Sequence, residues 1–306
     1  MTENALPRSE QAAVEDEVPL TVVVGVDSSA NAECAAAWAA AEAERRGAPL
    51  TVVHAVHLPD APTALLEPHD HATRRRADGR ALLDHTVGAL RAAFPGLKLI
   101  AELSDLSPAH VLSAHSRSAG LVVTGTRGHG GFVGMLVGSV SRKLAAHAAS
   151  PLVVVRAMEP QDAIDEVVLG VGSKPSSTAV HYAFAAARRH EAGLTVVRAW
   201  WPRPAYGGLA TPAVMYVGEL DTSQADALAG AEAAVAAQRE EYPDVKVRVC
   251  AVEGNAVPVL VNAARGTRLL VVGAHRRRGP LAVGAGYVVD GALAHCPTPI
   301  AIVPVR

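Results

Sequence analysis

The chain repeats itself after about 146 residues, and this repeat limits the possible folds more than any other feature of the sequence. Short runs rich in β-branched residues recur in the second half at offsets that drift only from 144 to 148 residues. The matching runs are TVVVG (21–25) with EVVLG (166–170), LTVVH (50–54) with LTVVR (194–198), LVVTG (121–125) with LLVVG (269–273), and SPLVV (150–154) with TPIAI (298–302). Because 306 residues are about twice the length of an average domain, we expect two copies of one domain.

The repeated runs predict strands that are buried on both faces, because each run is continuously apolar rather than alternating. Segments with helical spacing of apolar residues separate the runs, with Thr73 and Ser223 as expected N-caps and Gly47 and Gly193 as expected stop signals. The predicted helices cover residues 30–46, 73–93, 108–118, 176–191, 223–241 and 256–264, and a further helix follows Gly138. Strand and helix therefore alternate through both halves.

This alternation predicts an α/β fold of two tandem open doubly wound domains, each a five-stranded parallel sheet flanked by helices. We expect a disordered segment at residues 1–18, the first domain at 19–156, a linker at 157–165 and the second domain at 166–306. The two domains should superpose about a pseudo-two-fold axis, each with its own sheet. A ligand site is expected beyond the carboxyl ends of the first and fourth strands, where the strand order reverses.

Composition excludes several classes of protein. The 28 Lys and Arg residues against 30 Asp and Glu residues give a formal charge of −2, which lacks the basic surface of a nucleic-acid-binding protein. Residues 1–18 lack the pattern of a signal peptide, and no apolar run reaches the ~20 residues that a membrane helix needs. Cys34, Cys250 and Cys296 are far apart and fit buried residues in a reducing compartment. We therefore expect a cytoplasmic protein with neither a nucleic-acid nor a membrane partner.

A glycine-rich loop after the fourth strand is the strongest functional signal. Gly125 and Gly128 are followed by Gly138 and Ser139, which gives the spacing G-x2-G-x9-G-S. Glycines at the first two positions allow positive φ angles and a close approach of the backbone to an anion. The free amides and the dipole at the start of the next helix, with the hydroxyls of Ser139 and Ser141, favour a phosphate group. The alternative is that these glycines only form turns in a mobile loop.

Asp27 follows the first strand and should lie opposite this loop. Its carboxylate is suited to accept hydrogen bonds from ribose hydroxyls or from the amino group of adenine. The alternative interpretation is that Asp27 caps the helix that begins at Ala30.

Together these residues resemble the universal stress protein family in its tandem two-domain form, and the resemblance covers both halves of the chain. The ATP-binding pattern of that family, G-x2-G-x9-G-[S/T], is matched in full by the loop and by the Val140 and Ser141 that follow it. The first-strand aspartate of the family matches Asp27, and the residue after its second-strand histidine, which lines the adenine pocket in similar proteins, matches Ala55. The resemblance implies that ATP is held by Asp27, Ala55, Gly125, Gly128, Gly138, Ser139, Val140 and Ser141, with Thr124 near the base. We add Gly25 at the end of the first strand and Arg127, which is expected at the phosphates, and we expect Mg²⁺ to accompany the ATP.

The second half departs from the family pattern, so we do not expect ATP to bind there. The replacements are Gly172 for Asp27, Arg276 for Gly128, Tyr287 for Ser139 and Val289 for Ser141, whereas Gly273 and Gly286 keep glycine. Arg276, with Arg277 and Arg278, forms either a cluster that holds an anion by charge or a solvated basic turn.

No second chemistry has a complete set of residues. The loop GVGSK at 170–174 lacks the spacing of a P-loop, and the loop GVDSS at 25–29 resembles that of adenylating pyrophosphatases without the preceding Ser-Gly-Gly. His54 and His57 should point to opposite faces of one strand, and the histidines at 69 and 71 belong to a Pro-rich loop that we expect to be solvated. No metal site follows from either pair. Neither a nucleophile elbow nor a carboxylate pair accompanies the glycine loop, so we do not expect an enzyme.

Two functional hypotheses of different classes follow. In the favoured one, the chain is a nucleotide-dependent regulator in stress response, and ATP in the first domain orders the glycine loop for a protein partner or for a contact within a homodimer or higher oligomer. In the rival one, the chain is a structural or interaction protein whose fifth strands pair the domains and in which nucleotide is incidental. A slow ATPase or ATP pyrophosphatase is the alternative that would make it an enzyme.

Overall fold

Strands and helices alternate along the chain in the order that the sequence predicts. The computed structural model describes residues 21–58, 69–126, 128, 137–156, 164–201, 223–275 and 285–305. The first half contains β1 (Val22–Gly25), α1 (Ala30–Arg46), β2 (Leu50–Ala55), α2 (His69–Ala93), β3 (Leu99–Ser104), α3 (Pro108–His115), β4 (Leu121–Gly125), α4 (Ser139–His147) and β5 (Leu152–Val155). The second half contains β6 (Ile164–Gly170), α5 (Ser177–Arg189), β7 (Gly193–Trp200), α6 (Gln224–Glu241), β8 (Val247–Glu253), α7 (Ala256–Ala263), β9 (Thr267–His275), α8 (Tyr287–His295) and β10 (Ile300–Val305).

Each half forms the five-stranded, parallel, doubly wound sheet that the sequence predicts. The strand order is β3-β2-β1-β4-β5 in the first half and β8-β7-β6-β9-β10 in the second, so the two topologies are equivalent. The sequence predicts two separate sheets, and in this respect the structure differs. β5 and β10 pair antiparallel, with Val154 opposite Ile300, and join the halves into one ten-stranded sheet. An antiparallel pair between equivalent strands is the pairing that a two-fold relation between the halves produces.

The apolar core lies on both faces of this sheet and continues across the β5–β10 seam. Val22 and Val24 pack in a cluster with α1, α2, α5 and α6, whereas Val23 packs in a second cluster with α3, α4, α7 and α8. Each cluster contains strand residues of both halves, such as Val153 and Ala301 in the first. Each fully buried Val or Leu contributes roughly 1.5–3 kcal/mol relative to an exposed one, so the seam is stabilised by packing as well as by hydrogen bonds.

The ends of the helices confirm some of the predicted caps and correct others. Gly47 ends α1 in the left-handed conformation with φ 60°, and Ser223 caps α6 by accepting the amide hydrogen of Asp226. Gly193 is not a stop signal, because the left-handed position after α5 is taken by Glu191 with φ 52° and Gly193 already belongs to β7. Thr73 is not an N-cap, because α2 begins at His69 and residues 69–72 contain no helix breaker. The histidines at 69 and 71 therefore belong to the first turn of a helix, not to a loop.

Glu42 on α1 is buried at the seam between the halves, with 1% of its surface exposed. Its Oε1 accepts hydrogen bonds from Arg46 Nε at 2.7 Å and from Arg189 Nε at 3.3 Å, and His190 Nε2 lies 3.1 Å from its Oε2. Burial alone would raise the pKa of Glu42, but the hydrogen bond with His190 and the charges of Arg46 and Arg189 lower that pKa to about 2. Glu42 therefore holds the carboxyl-terminal ends of α1 and α5 together.

The three cysteines match the expectation of burial only in part, because Cys296 is buried whereas Cys34 and Cys250 are half-buried. Cys34, Cys250 and Cys296 are free thiols, and burial raises the pKa of Cys296 to about 11. Among the described residues, none of the helices combines the length and the apolar character needed to cross a bilayer.

Candidate functional site

The strand order of the first half reverses between β1 and β4, and the loops predicted to bind a ligand meet there. β1 pairs with β2 on one side and with β4 on the other, and Gly25 lies opposite Thr124 at the carboxyl ends of the two strands. The loops that follow β1 and β4 therefore start side by side. Asp27 and Gly128, which are far apart in the sequence, come into contact at this edge.

Asp27 forms the turn that precedes α1. Its Oδ1 accepts hydrogen bonds from the amide of Ser29 at 3.0 Å and from Ser29 Oγ at 2.5 Å. Ser29 is the N-cap of α1, and its Oγ accepts the amide hydrogen of Ala32 at 3.2 Å. The interpretation of Asp27 as the cap is therefore wrong. Asp27 supports the capping residue through one carboxylate oxygen and leaves the other oxygen to face the glycine loop.

Gly128 lies against that second oxygen. A Cβ atom at position 128 would overlap Asp27 Oδ2. Glycine is therefore required at this position for as long as Asp27 keeps its hydrogen bonds to Ser29. The contact with Asp27 therefore explains by steric fit, and without reference to a ligand, why position 128 is glycine.

Gly125 and Gly25 are required for close packing rather than for their φ angles. Gly125 is the last residue of β4 and has extended backbone, so the expected positive φ at this glycine is wrong. A Cβ atom there would lie 2.9 Å from the carbonyl carbon of Asn31 in the first turn of α1. A Cβ atom at Gly25 would lie 2.6 Å from Leu112 Cδ1 on α3. The two glycines therefore allow one helix on each face to approach the ends of β1 and β4.

Thr126 anchors both ends of the glycine loop. Its amide donates to the carbonyl of Val155 on β5 at 2.8 Å, and its carbonyl accepts the amide hydrogen of Gly138 at 2.7 Å. Its hydroxyl donates to Asn31 Oδ1 at 3.2 Å. Sequence reasoning missed Thr126 and Asn31, because neither belongs to the glycine pattern and their contact joins β4 to α1. The loop consequently leaves and re-enters the fold at one fixed point.

Helix α4 begins with backbone amides that no side chain caps. Its N-cap is Gly138, with φ −69° and ψ 153°, and no side chain of the described residues caps its first turn. Ser139 is exposed and Val140 is half-buried. The start of α4 therefore offers N–H donors and the positive end of the helix dipole to an anion, as the sequence predicts.

The hydroxyl of Ser141 forms a hydrogen bond inside the protein. This side chain is buried, and Ser141 Oγ donates to the carbonyl of Gly125 at 2.7 Å, with Thr124 Oγ1 at 3.4 Å. The predicted role of this hydroxyl at a phosphate is therefore revised. Ser141 ties the first turn of α4 to the end of β4, and its backbone amide is the group that it presents at the helix start.

Ala55 reaches the same edge of the sheet at the end of β2. It is half-buried and packs against the apolar cluster on the α3 and α4 face. The neighbouring His54 points to the opposite face, and its Nδ1 donates to the carbonyl of Val26 at 2.8 Å. His57 lies beyond the strand with φ 47°, so the prediction that both histidines belong to one strand is wrong.

The corresponding edge of the second half is built from different side chains. A Cβ atom at Gly172, where the first half has Asp27, would meet nothing within 4 Å. Tyr287 begins α8 with 53% of its surface exposed, and its hydroxyl donates to Asn255 Oδ1 at 3.1 Å. Val289 is buried and has no hydroxyl with which to tie α8 to its strand. The second edge therefore lacks the carboxylate and the hydroxyl contact that organise the first.

Two further predictions concern arginines and metals. Arg127 and residues 276–278 lie outside the part of the chain that the structure describes. Within that part, no three His, Cys, Asp or Glu side chains come together in a way that could hold a metal ion.

Comparison with known proteins identifies the family. The model of the universal stress protein family matches residues 20–156 and again residues 163–304. A universal stress protein of Mycobacterium tuberculosis strain H37Rv is 32% identical over 301 residues, which cover 92% of this chain and 96% of that protein. A universal stress protein of Mycolicibacterium smegmatis is 31% identical over 300 residues, with 93% and 97% covered. The crystal structure of a universal stress protein from Archaeoglobus fulgidus shares the fold, with a TM-score of 0.66 at 15% identity and coverage of 94% and 97%. The chain therefore belongs to the universal stress protein family and carries two family domains in tandem.

Proposed function

We propose that the chain is a nucleotide-dependent regulator in which the first domain binds ATP together with Mg²⁺. One observation carries this proposal: a single edge of the first half brings together the carboxylate of Asp27, the loop glycine Gly128 and the uncapped start of α4 at Gly138. A carboxylate suits ribose or adenine, and a free helix start suits phosphate. The two ends of this edge thus fit the two ends of a nucleoside triphosphate.

The hydrogen-bond donors at this edge can account for the expected affinity for ATP. A charge-assisted hydrogen bond contributes roughly 1.5–3 kcal/mol, and micromolar binding corresponds to ~8 kcal/mol. The amides of Ser139, Val140 and Ser141 and the loop backbone at Gly128 supply several such donors. Nucleotide binding would also order the glycine loop, because both of its ends are already fixed at Thr126. An ordered loop is the signal that we propose for a protein partner.

We further propose that the bound nucleotide acts as a signal through its occupancy of the site and is not hydrolysed. Asp27, whose carboxylate lies at this edge, already accepts two hydrogen bonds from Ser29 and is a poor candidate for a general base. A slow ATPase or ATP pyrophosphatase would need a base at the glycine loop. Turnover of ATP that is lost in Gly138→Asp would favour this enzymatic alternative.

The rival hypothesis of a structural or interaction protein has one specific observation in its favour. β5 and β10 pair directly and join the halves, which is the fifth-strand contact that this hypothesis expects. The same pair uses the fifth-strand edge of both halves. A homodimer or higher oligomer, which we still propose, must therefore form through another surface, and the outer edges at β3 and β8 are unpaired within the described sheet. We propose the cytoplasm as its location.

Substitution of Gly138 tests the proposed site. The φ and ψ of Gly138 suit any residue, and Asp is a favourable N-cap, so Gly138→Asp should keep or raise the thermal stability of the free protein. The same carboxylate should repel phosphates, and we expect ATP affinity to fall at least tenfold. Gly138→Asn has the same shape and capping capacity without the charge, and it should bind ATP more tightly than Gly138→Asp. Equal ATP affinity in wild type and Gly138→Asp, measured by calorimetry, would exclude α4 as the phosphate site.

A further inference from the structure

More positive than negative charge is buried at the seam between α1 and α5. Arg46 and Arg189 share one oxygen of Glu42, and Arg45 lies 3.9 Å from the other oxygen. In the described part of the chain, no second carboxylate lies within ion-pair distance of these three guanidinium groups. Two largely buried guanidiniums on one carboxylate leave a surplus positive charge.

The two buried arginines are not equally well compensated. Burial lowers the pKa of Arg46, but Tyr182 and Glu42 outweigh burial and raise that pKa above its ordinary value. The pKa of Arg189 is lowered, first by burial and then by the charge of Arg46. Arg189 Nη2 is buried without a hydrogen-bond partner among the described residues. The carboxyl-terminal end of α5 favours a cation at this place but supplies no acceptor to that atom.

The internal repeat shows where a second carboxylate is missing. In each helix an alanine carbonyl, that of Ala43 in α1 and Ala187 in α5, accepts the amide hydrogen that closes the last turn, in both cases at 2.9 Å. The preceding residues are Glu42 and Ala186, so these two positions are equivalent. The seam thus has two equivalent positions for an acidic residue and only one of them is acidic.

A cavity of about 520 Å³ opens beside this charge. Arg46 and Arg189 both line it, and Ser177 and Gln238 add a hydroxyl and a side-chain amide. Guanidinium groups bind carboxylates and phosphates through charge-assisted hydrogen bonds. We propose that this cavity is a binding site for a small oxyanion, a carboxylate or phosphate group, whose charge takes the place of the missing second carboxylate.

This site is separate from the proposed nucleotide site. Gly120 and Pro151, which precede β4 and β5, also line the cavity, so it lies at the amino ends of these strands. Asp27 and the start of α4 lie at the carboxyl ends. The cavity also takes residues from both halves of the chain. Its occupant would therefore strengthen the contact between the domains whether or not ATP is bound.

Thermal unfolding of the full chain tests the proposal. Inorganic phosphate and acetate are titrated separately against chloride at constant ionic strength, in the Gly138→Asp background so that anions at α4 do not contribute. We expect a saturable rise in Tm of about 2–4 °C with at least one of the two anions. A response to phosphate alone assigns a phosphate site, and a response to acetate alone assigns a carboxylate site. No saturable rise with either anion would overturn the proposal.

A carboxylate supplied by the protein gives the matched test. Ala185 lines the cavity and lies four residues before Arg189, the spacing that separates Glu42 from Arg46. Ala185→Glu should raise Tm in chloride and abolish the rise caused by the anion, whereas the neutral Ala185→Gln should keep that rise. If Ala185→Glu does not fold, Gln238→Glu supplies the carboxylate from α6. A rise that persists unchanged in the carboxylate variant would show that the anion binds elsewhere and would also overturn the proposal.

Discussion

Replacement of Gly128 by alanine tests the contact on which the proposed site rests. The added Cβ would overlap Asp27 Oδ2, so the present arrangement of the two residues cannot be kept, and either Asp27 leaves Ser29 or position 128 shifts. Loss of two hydrogen bonds to a carboxylate costs roughly 1.5–3 kcal/mol in total, since part of each is replaced by water. Gly128 is exposed, and in the free protein Asp27 Oδ2, the end of a flexible side chain, can turn toward water to make room for the Cβ. The penalty therefore falls on binding, and we expect about 10–100-fold weaker ATP binding.

Calorimetric titration of the full chain with Mg-ATP measures this change, and thermal unfolding without nucleotide should be nearly unchanged. Gly172→Ala is the matched control, because a Cβ at the equivalent edge of the second half meets open space. The reasoning also makes a coupling prediction: Gly128→Ala should cost much less in an Asp27→Ala background, where the overlap is gone. Wild-type affinity in Gly128→Ala would refute the reasoning, and so would an equal loss in both backgrounds.

Three further predictions concern stability and reactivity. Glu191 holds a left-handed conformation with φ 52° where the first half has Gly47 with φ 60°, so Glu191→Gly should raise stability by about 0.5–1 kcal/mol and Gly47→Ala should lower it by a similar amount in denaturant unfolding. The pKa of Glu42 is about 2 in the folded chain against 4.5 in the unfolded chain, so its ionised carboxylate stabilises the fold by about 3 kcal/mol above pH 4.5. This stabilisation is lost as the pH falls toward 2. Glu42→Gln should therefore make the free energy of unfolding depend less on pH in the acid range. Cys296 is buried and its pKa is raised to about 11, so a thiol reagent at pH 8 should label it only on unfolding, and rapid labelling of the native chain would contradict its burial.

The sequence predicted the parts of the fold that have a local signature. Continuous apolar runs such as TVVVG give parallel strands buried on both faces, and their repetition gives two equivalent sheets. The β5–β10 pair has no such signature. The apolar runs LVVV at 152–155 and IAIVPV at 300–305 would be the same whether each strand lay at the edge of its own sheet or paired with the other strand. Glu42 escaped notice for a similar reason. The sequence shows only that Glu42 and Arg46 are spaced for an i,i+4 ion pair on a helix surface. Glu42 is buried because α1 and α5 meet at the seam, which the sequence does not reveal.

In the candidate site, too, the features with a local sequence pattern were predicted and the contacts between distant residues were not. The spacing of Gly125, Gly128 and Gly138 marks the start and the end of the loop, because this pattern can be read directly from the order of residues. The partners of these glycines are non-local. Asn31 explains Gly125, Asp27 explains Gly128, and neither contact can be read from the pattern that contains the glycines.

The number of nucleotides bound per chain tests the central claim most directly. The full chain is dialysed to equilibrium against Mg-ATP at about ten times the wild-type Kd, and the excess nucleotide on the protein side is quantified by mass spectrometry. The account predicts close to one ATP per chain in wild type and about half of that or less in Gly138→Asp, because the edge at Asp27 is complete and the edge at Gly172 is not. No bound nucleotide in wild type, close to two per chain, or equal amounts in wild type and Gly138→Asp would contradict it.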